Sequence, residues 1–215
     1  NSTWGASTPL DTLSGTVCID NAPTESASIW HEIIADLKQR GLKQCQLFVT
    51  DDLQGLDNAI EKHFEKISIQ KCVLHLKRNL LKKVRQTHRA QLADDLASLF
   101  DLDLADDTLD DAVKRANKIW QRWQPLYRHL GILNDPDRLR YYFTYLDFHP
   151  KIRNMIYTTN WIERLNKDFK RTIKFRNAMP SVQSVMTLLS KVAIDKNESR
   201  YRYPIHRLSL DSMFQ

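Results

Sequence analysis

The sequence predicts an α/β fold whose strand-and-helix core is interrupted by a long, all-helical insertion. Three observations carry that expectation. Short β-prone runs, GTVCID, CQLFVT and SIQKCVLH, alternate with amphipathic helical segments up to His75. From Leu76 to about Tyr145 the apolar period is helical almost throughout. A further helical pattern, with one strongly basic face, then begins near Tyr157.

Taken in order, the opening NSTWGASTPLDTL has neither period and reads as a loop or frayed terminus. A short strand is expected over Gly15–Asp20, then a helix over Glu25–Arg40 with Ile29, Trp30, Ile33, Ile34 and Leu37 on one stripe. Gly41 stands where a glycine commonly closes a helix. CQLFVT reads as a buried strand ending at Asp51–Asp52, and Gly55–Ile67 as a helix burying Leu56, Ile60 and Phe64. SIQKCVLH reads as a strand ending at His75. Short connections between these elements favour parallel pairing. Beyond Leu76 the basic patch KRNLLKKVRQTHR runs into Asp94–Asp111, rich in aspartate yet periodic in Leu, Ala and Phe, which reads as helices with an acidic face. Trp120, Trp123, Leu126 and Tyr127 form an aromatic stripe read as core rather than a base-stacking platform. Pro125, GILNDPD and the His-Pro pair at 149–150 read as helix breaks. A last helix is expected over Val182–Asn197, with Val185, Leu188, Leu189 and Val192 inward, before an aperiodic tail.

A chain of 215 residues, 42% hydrophobic, is long enough for one sizeable core with an inserted lobe. No apolar run approaches a membrane span, and no signal-peptide pattern opens the sequence. Three scattered cysteines, Cys18, Cys45 and Cys72, fit reduced thiols in a cytoplasmic protein. The net charge of +6 is concentrated: residues 151–215 carry thirteen Lys and Arg against five Asp and Glu. Such a basic quarter suits a polyanion, most simply nucleic acid, although solvated basic faces are also common.

The stretch from Tyr157 to Arg176, YTTNWIERLNKDFKRTIKFR, organises the rest. Asn160 is a favourable N-cap, and Glu163 sits three residues on, where a capping box has its glutamate. Ile162, Leu165, Phe169 and Ile173 share one face with Trp161 at its margin, while Lys167, Lys170, Arg171 and Lys174 take the other. Glu163 therefore has two structural readings, a cap or an i,i+4 pair with Lys167, beside a functional one. Asp51 and Asp52 are similarly open. Carboxylates at the end of a parallel strand sit where α/β folds place their chemistry, but Asp also favours strand exits.

The run TTNWIERLNKDFKR closely resembles the glutamate-bearing signature of Mutator-type insertion-sequence transposases. Three further blocks, ESASIWHEIIADLKQRG, LFVTDDLQGLDNAI and QKCVLHLKRN, follow the family's order, so the resemblance covers roughly residues 20 to 200. It implies an RNase H-like catalytic domain of the DDE type, which cleaves and transfers DNA strands at the ends of its element. Asp51 would be the second acidic ligand and Glu163 the third. Asp52 stands where the family more often has glycine. The expected cofactor is Mg²⁺, with Mn²⁺ as substitute, because two hard cations held by carboxylates supply the nucleophile, leaving-group and phosphate-charge terms of phosphodiester chemistry. Expected partners are terminal-repeat and target DNA and further copies of the chain, in the bacterial cytoplasm at the nucleoid, without a membrane.

Supporting roles are expected for Cys72, His75, Arg78, Asn79 and Asn160, and DNA contact for Arg164, Lys167, Lys170, Arg171 and Lys174. Cys72 and His75 invite a zinc reading, but a structural site needs four ligands and no second Cys/His pair stands at suitable spacing. A buried thiol and a strand-end histidine is the plain alternative. The resemblance also implies a partial core, residues 15–80 with 151–200, an irregular segment over 1–14, a helical insertion over 81–150 and a tail over 201–215. No motif identifies the first catalytic aspartate: Asp11 lies in loop-like sequence and Asp20 ends what would be the third strand. The expectation is thus an N-terminally truncated transposase, weakly active or inactive and marginally stable through unpaired strand edges. The rival expectation is a non-catalytic product that binds DNA or an intact transposase and interferes with it.

Overall fold

The computed structural model describes residues 3–5, 18–20, 27–42, 45–104, 108–175 and 181–199. The chain forms two compact units. One contains β1 (Thr3–Gly5), β2 (Cys18–Asp20), α1 (Ala27–Gln39), α2 (Leu56–His63), α8 (Asn160–Phe175) and α9 (Val182–Ser199). The other comprises Leu47–Asp52 with Ser68–Thr159, and holds β3 (Leu47–Thr50), β4 (Ser68–Lys71) and the helices α3 (Val73–Lys82), α4 (Gln86–Leu99), α5 (Leu109–Trp123), α6 (Pro136–Phe143) and α7 (Pro150–Ile156). The expected tail, 201–215, lies outside the described residues.

In the first unit, β1 and β2 pair antiparallel, Trp4 opposite Ile19. The opening segment, expected to be irregular, therefore contributes a strand; three residues are too few to display a period. Helix α1 buries Trp30, Ile33, Ile34 and Leu37, and α2 buries Leu56, Ala59 and Ile60. Gly41, at φ +113°, closes α1 with the expected turn, in which Leu42 N–H donates to Leu37 C=O and Gly41 N–H to Lys38 C=O. Gly55 opens α2 at φ +81°, and a Cβ there would lie 2.6 Å from the Ala27 Cβ, so no larger residue fits. Helices α8 and α9 close on a small core of Leu165, Phe169, Leu189 and Ala193, with Val185 and Val192 against it.

In the second unit, β3 and β4 pair in parallel, Leu47 with Ser68 through Thr50 with Lys71. The connection includes a helix, as parallel pairing requires. The helical run packs one large core, including Leu80, Leu92, Leu96, Leu99, Phe100, Ala112, Ala116, Leu130, Leu139 and Phe143. Trp123 and Tyr127 belong to that core as expected, whereas Leu126 is 65% exposed. The break at Pro125 takes Leu126 off the stripe, since the turn after α5 no longer follows the helical period. Pro136 and Pro150, by contrast, start helices α6 and α7, where a proline's missing N–H costs nothing.

The buried side chain of Gln70 fastens β4 to the helices. Its Nε2 donates to the carbonyls of Lys71 and Tyr142, and its Oε1 accepts from Tyr145 N–H at 2.7 Å. Thr144 Oγ1 adds a bond to Ile69 C=O. These bonds hold β4, and β3 paired with it, to the helical run. Strand β4 also ends earlier than its sequence suggests. Lys71 is its last residue, Cys72 precedes α3, and His75 lies in the first turn of that helix rather than at a strand end. The apolar run VLHL satisfies a helix face as well as a strand, so periodicity alone could not place the boundary.

Candidate metal centre

Asp51 leaves β3 directly beside the start of α3. The Cys72 N–H donates to Thr50 C=O at 2.7 Å, and Val73 N–H to Tyr157 C=O, so both strand exits and the chain near Tyr157 are tied together by backbone. Four side chains meet there. His75 Nδ1 lies 2.9 Å from Asp51 Oδ1, and Thr159 Oγ1 donates to the same oxygen at 2.9 Å. The Thr159 N–H donates to Cys72 Sγ at 3.4 Å. Ligand atoms of Asp51, Cys72 and His75 all lie within 4.8 Å of one another. Cys72 is buried, while the Asp51 and His75 side chains are 37% and 31% exposed, so the cluster opens to solvent on the carboxylate side.

Asp52 has different surroundings. Lys71 Nζ donates to its Oδ1 at 2.6 Å and an Arg138 nitrogen lies 3.8 Å from Oδ2. Burial pushes this carboxyl up, but the Lys71 hydrogen bond and the Lys71 and Arg138 charges outweigh burial and hold it below its usual range. Lys71 also lies over the Tyr141 ring. Asp52 is thus a partner of cations already present, and Asp51 is the carboxylate offered to the open side.

Of the other residues expected in the site, Arg78 and Asn79 are exposed on α3, one turn beyond His75. Asn160 and Glu163 lie in the first turn of α8, in the other unit. Asn160 is the first residue of that helix, and Tyr157 to Thr159 stand before it rather than within it. Along α8, Leu165 and Phe169 are buried, whereas Ile173, expected on the same face, is 38% exposed near the helix end. Arg164, Lys167, Lys170, Arg171 and Lys174 are all exposed, and Arg171 lies over the exposed Phe175 ring.

The family model for "Transposase, Mutator family" matches residues 14–202. The chain belongs to the Mutator family of transposases. Among curated relatives it is similar to the transposase for insertion sequence element IS905 of Lactococcus lactis, 30% identical over 177 residues, covering 82% of this chain and 44% of that one. It is 30% identical over 172 residues to the transposase for IS1201 of Lactobacillus helveticus, covering 78% and 44%. It is 27% identical over 180 residues to the transposase for IS256 in transposon Tn4001 of Staphylococcus aureus, covering 81% and 44%. The chain thus spans less than half the length of these relatives.

For this Mutator-family chain, sequence reasoning passed over Thr159. Its signal was present in the TTN triplet before the Glu163 helix, but threonine ahead of a helix reads first as a cap. Only the fold turns its hydroxyl toward a carboxylate 108 positions earlier. No helix among the described residues is long and apolar enough to cross a membrane.

Proposed function

We propose that this chain carries part of the catalytic apparatus of an insertion-sequence transposase, cleaving and joining DNA strands at element ends in a divalent-metal-dependent reaction. The observation that carries the reading is the Asp51 carboxylate. It stands at the exit of a parallel strand, with Oδ1 accepting from Thr159 and 2.9 Å from His75 Nδ1, and its open side toward solvent. A carboxylate whose rotamer is set by neighbours is pre-organised to hold a cation without further ordering cost.

The donor chemistry fits a hard ion. Asp51 and, by family resemblance, Glu163 offer carboxylate oxygens, and Mg²⁺ or Mn²⁺ prefers oxygen. When bound, such an ion neutralises phosphate charge and activates the attacking oxygen. The chain's own residues orient and bind. Thr159 donates its hydroxyl proton to Asp51 and thereby selects which carboxylate oxygen faces outward. Glu163 follows Thr159 by four residues in sequence. The exposed cations Arg164, Lys167, Lys170, Arg171 and Lys174 line the polar side of the same helix and suit a phosphate backbone. Arg78, Asn79 and Asn160 are assigned to substrate positioning through their places in the family motifs. The RNase H-like core, the first aspartate and self-association in a DNA complex belong to the same reading, as does a location in the cytoplasm at the nucleoid.

The test is nicking of labelled element-end DNA in Mg²⁺ or Mn²⁺ by this chain, by Asp51→Asn and by Glu163→Gln. Metal-dependent nicks that vanish in both variants are expected. Nicks that persist in the variants would sink the assignment of these two residues. Salt-sensitive DNA binding with no nicking by any of the three would favour a chain that holds DNA and interferes with transposition.

A further inference from the structure

Beside the Asp51 carboxylate, which suits a hard cation, stand a thiol and an imidazole, Cys72 and His75, which do not. Mg²⁺ takes oxygen and has little use for sulfur or imidazole, whereas Zn²⁺ accepts carboxylate, thiolate and imidazole together. The Cys-x-x-His spacing alone supplies two ligands. The fold adds Asp51 from β3, and all three ligand atoms come within 4.8 Å of one another.

We propose that Asp51, Cys72 and His75 form a site for a thiophilic divalent cation of the Zn²⁺ type, with three protein ligands and a fourth position open. The ligands stand on ordered backbone. Asp51 follows β3, Cys72 is anchored by its N–H to Thr50, and His75 sits in the first turn of α3. The Thr159 N–H donates to Cys72 Sγ, fixing the sulfur without using it as a donor. Cys72 is 1% exposed, which shields the sulfur from bulk solvent, and the part-exposed Asp51 and His75 leave an entry path. Zinc bonds of roughly 2.0–2.3 Å in tetrahedral geometry put ligand atoms roughly 3.3–3.8 Å apart, so closing the cluster takes side-chain shifts of about 1 Å. Asp51 and His75, 2.9 Å apart, would part slightly to admit the ion between them. Three ligands and an open position is the pattern of reactive or exchangeable zinc rather than of a closed structural site.

The site shares Asp51 with the transposase reading but needs neither DNA nor Glu163, and thiolate ligation, which Mg²⁺ does not give, tells the failure of one from the failure of the other. The experiment is a titration of the reduced full chain with Co²⁺, a spectroscopic stand-in for Zn²⁺ whose thiolate ligation gives a charge-transfer band. The expected result is a saturable band at one ion per chain, displaced by Zn²⁺ and surviving in excess Mg²⁺, which takes neither the thiolate nor the imidazole. The band should be absent from Cys72→Ser and retained in a Cys18→Ser, Cys45→Ser chain. Apparent affinity should fall on the order of tenfold or more in His75→Ala and in Asp51→Asn. Far-UV circular dichroism checks each variant. If Cys72→Ser does not fold, the part-exposed His75 and Asp51 carry the test. No thiolate band, a band surviving in folded Cys72→Ser, or unchanged affinity in both other variants would overturn the proposal.

Discussion

Asp51 and Asp52 are neighbours in sequence with different partners, and the difference is made by single side chains. Lys71 and Arg138 neutralise Asp52. Thr159 donates a hydrogen bond to Asp51, and His75 lies beside it. Thr159→Val keeps the shape of the side chain and removes its O–H, so urea unfolding should lose about 1 kcal/mol of stability, and Thr159→Ser should recover most of it. Equal stability of Val and wild type would mean that the bond to Asp51 contributes nothing. Asp52→Asn tests the other carboxylate. Burial raises Asp52, yet the Lys71 bond and the neighbouring charges lower it further, so its folded value lies below its unfolded one. Its contribution is therefore present above about pH 4 and disappears as pH falls through the depressed folded value. With the side chain 39% exposed, solvent screening holds the contribution to roughly 0.5–1 kcal/mol. Wild type and Asp52→Asn should differ by that amount at neutral pH and converge in acid, measured by denaturant midpoints across the range. A gap that widens toward low pH would refute the ion-pair account.

At the scale of elements, α8 divides its labour by face. Leu165 and Phe169 pack on Leu189 and Ala193, while Arg164, Lys167, Lys170, Arg171 and Lys174 stay in water. Replacing Lys167, Lys170 and Lys174 together by alanine should leave the helix folded, because alanine favours helix and none of the three is buried. DNA affinity should nevertheless fall, and the salt dependence should flatten by roughly 0.9 in slope for each phosphate that the helix no longer neutralises. Fluorescence anisotropy over a range of salt concentrations reads both quantities. An unchanged slope would reduce the basic face to a solvated surface. The inward face was legible in sequence because a 3.6-residue period survives in Leu165 and Phe169. Its last member, Ile173, was not, since position near a helix end decides whether an apolar residue finds a partner.

Across the whole molecule, Gln70 joins pieces far apart in sequence. Its amide satisfies the carbonyls of Lys71 and Tyr142 and the N–H of Tyr145 inside a buried region. Gln70→Ala would strand those backbone groups, at a cost of about 1–3 kcal/mol for each buried group left unpaired. Hydrogen exchange should then speed up in β4 and around Tyr145 together, because one side chain serves both. Faster exchange confined to β4 would show that the strands and the helical run open independently.

Much of this protein was determined by its sequence alone. The helical periods, the glycine closing α1, the parallel β3–β4 pair and the family motifs all depend on local pattern or ordered residue identity, and each is visible without coordinates. Where β4 stops was not visible, because VLHL suits a strand and a helix equally and only the bond from Cys72 N–H to Thr50 marks the turn between them. The partnership of Asp51, Cys72, His75 and Thr159 was not visible either. Those side chains are spread over more than a hundred positions, and no local rule brings them together. Tertiary structure decided that meeting, because backbone bonds from Cys72 to Thr50 and from Val73 to Tyr157 fix two strand exits and a distant turn at one point.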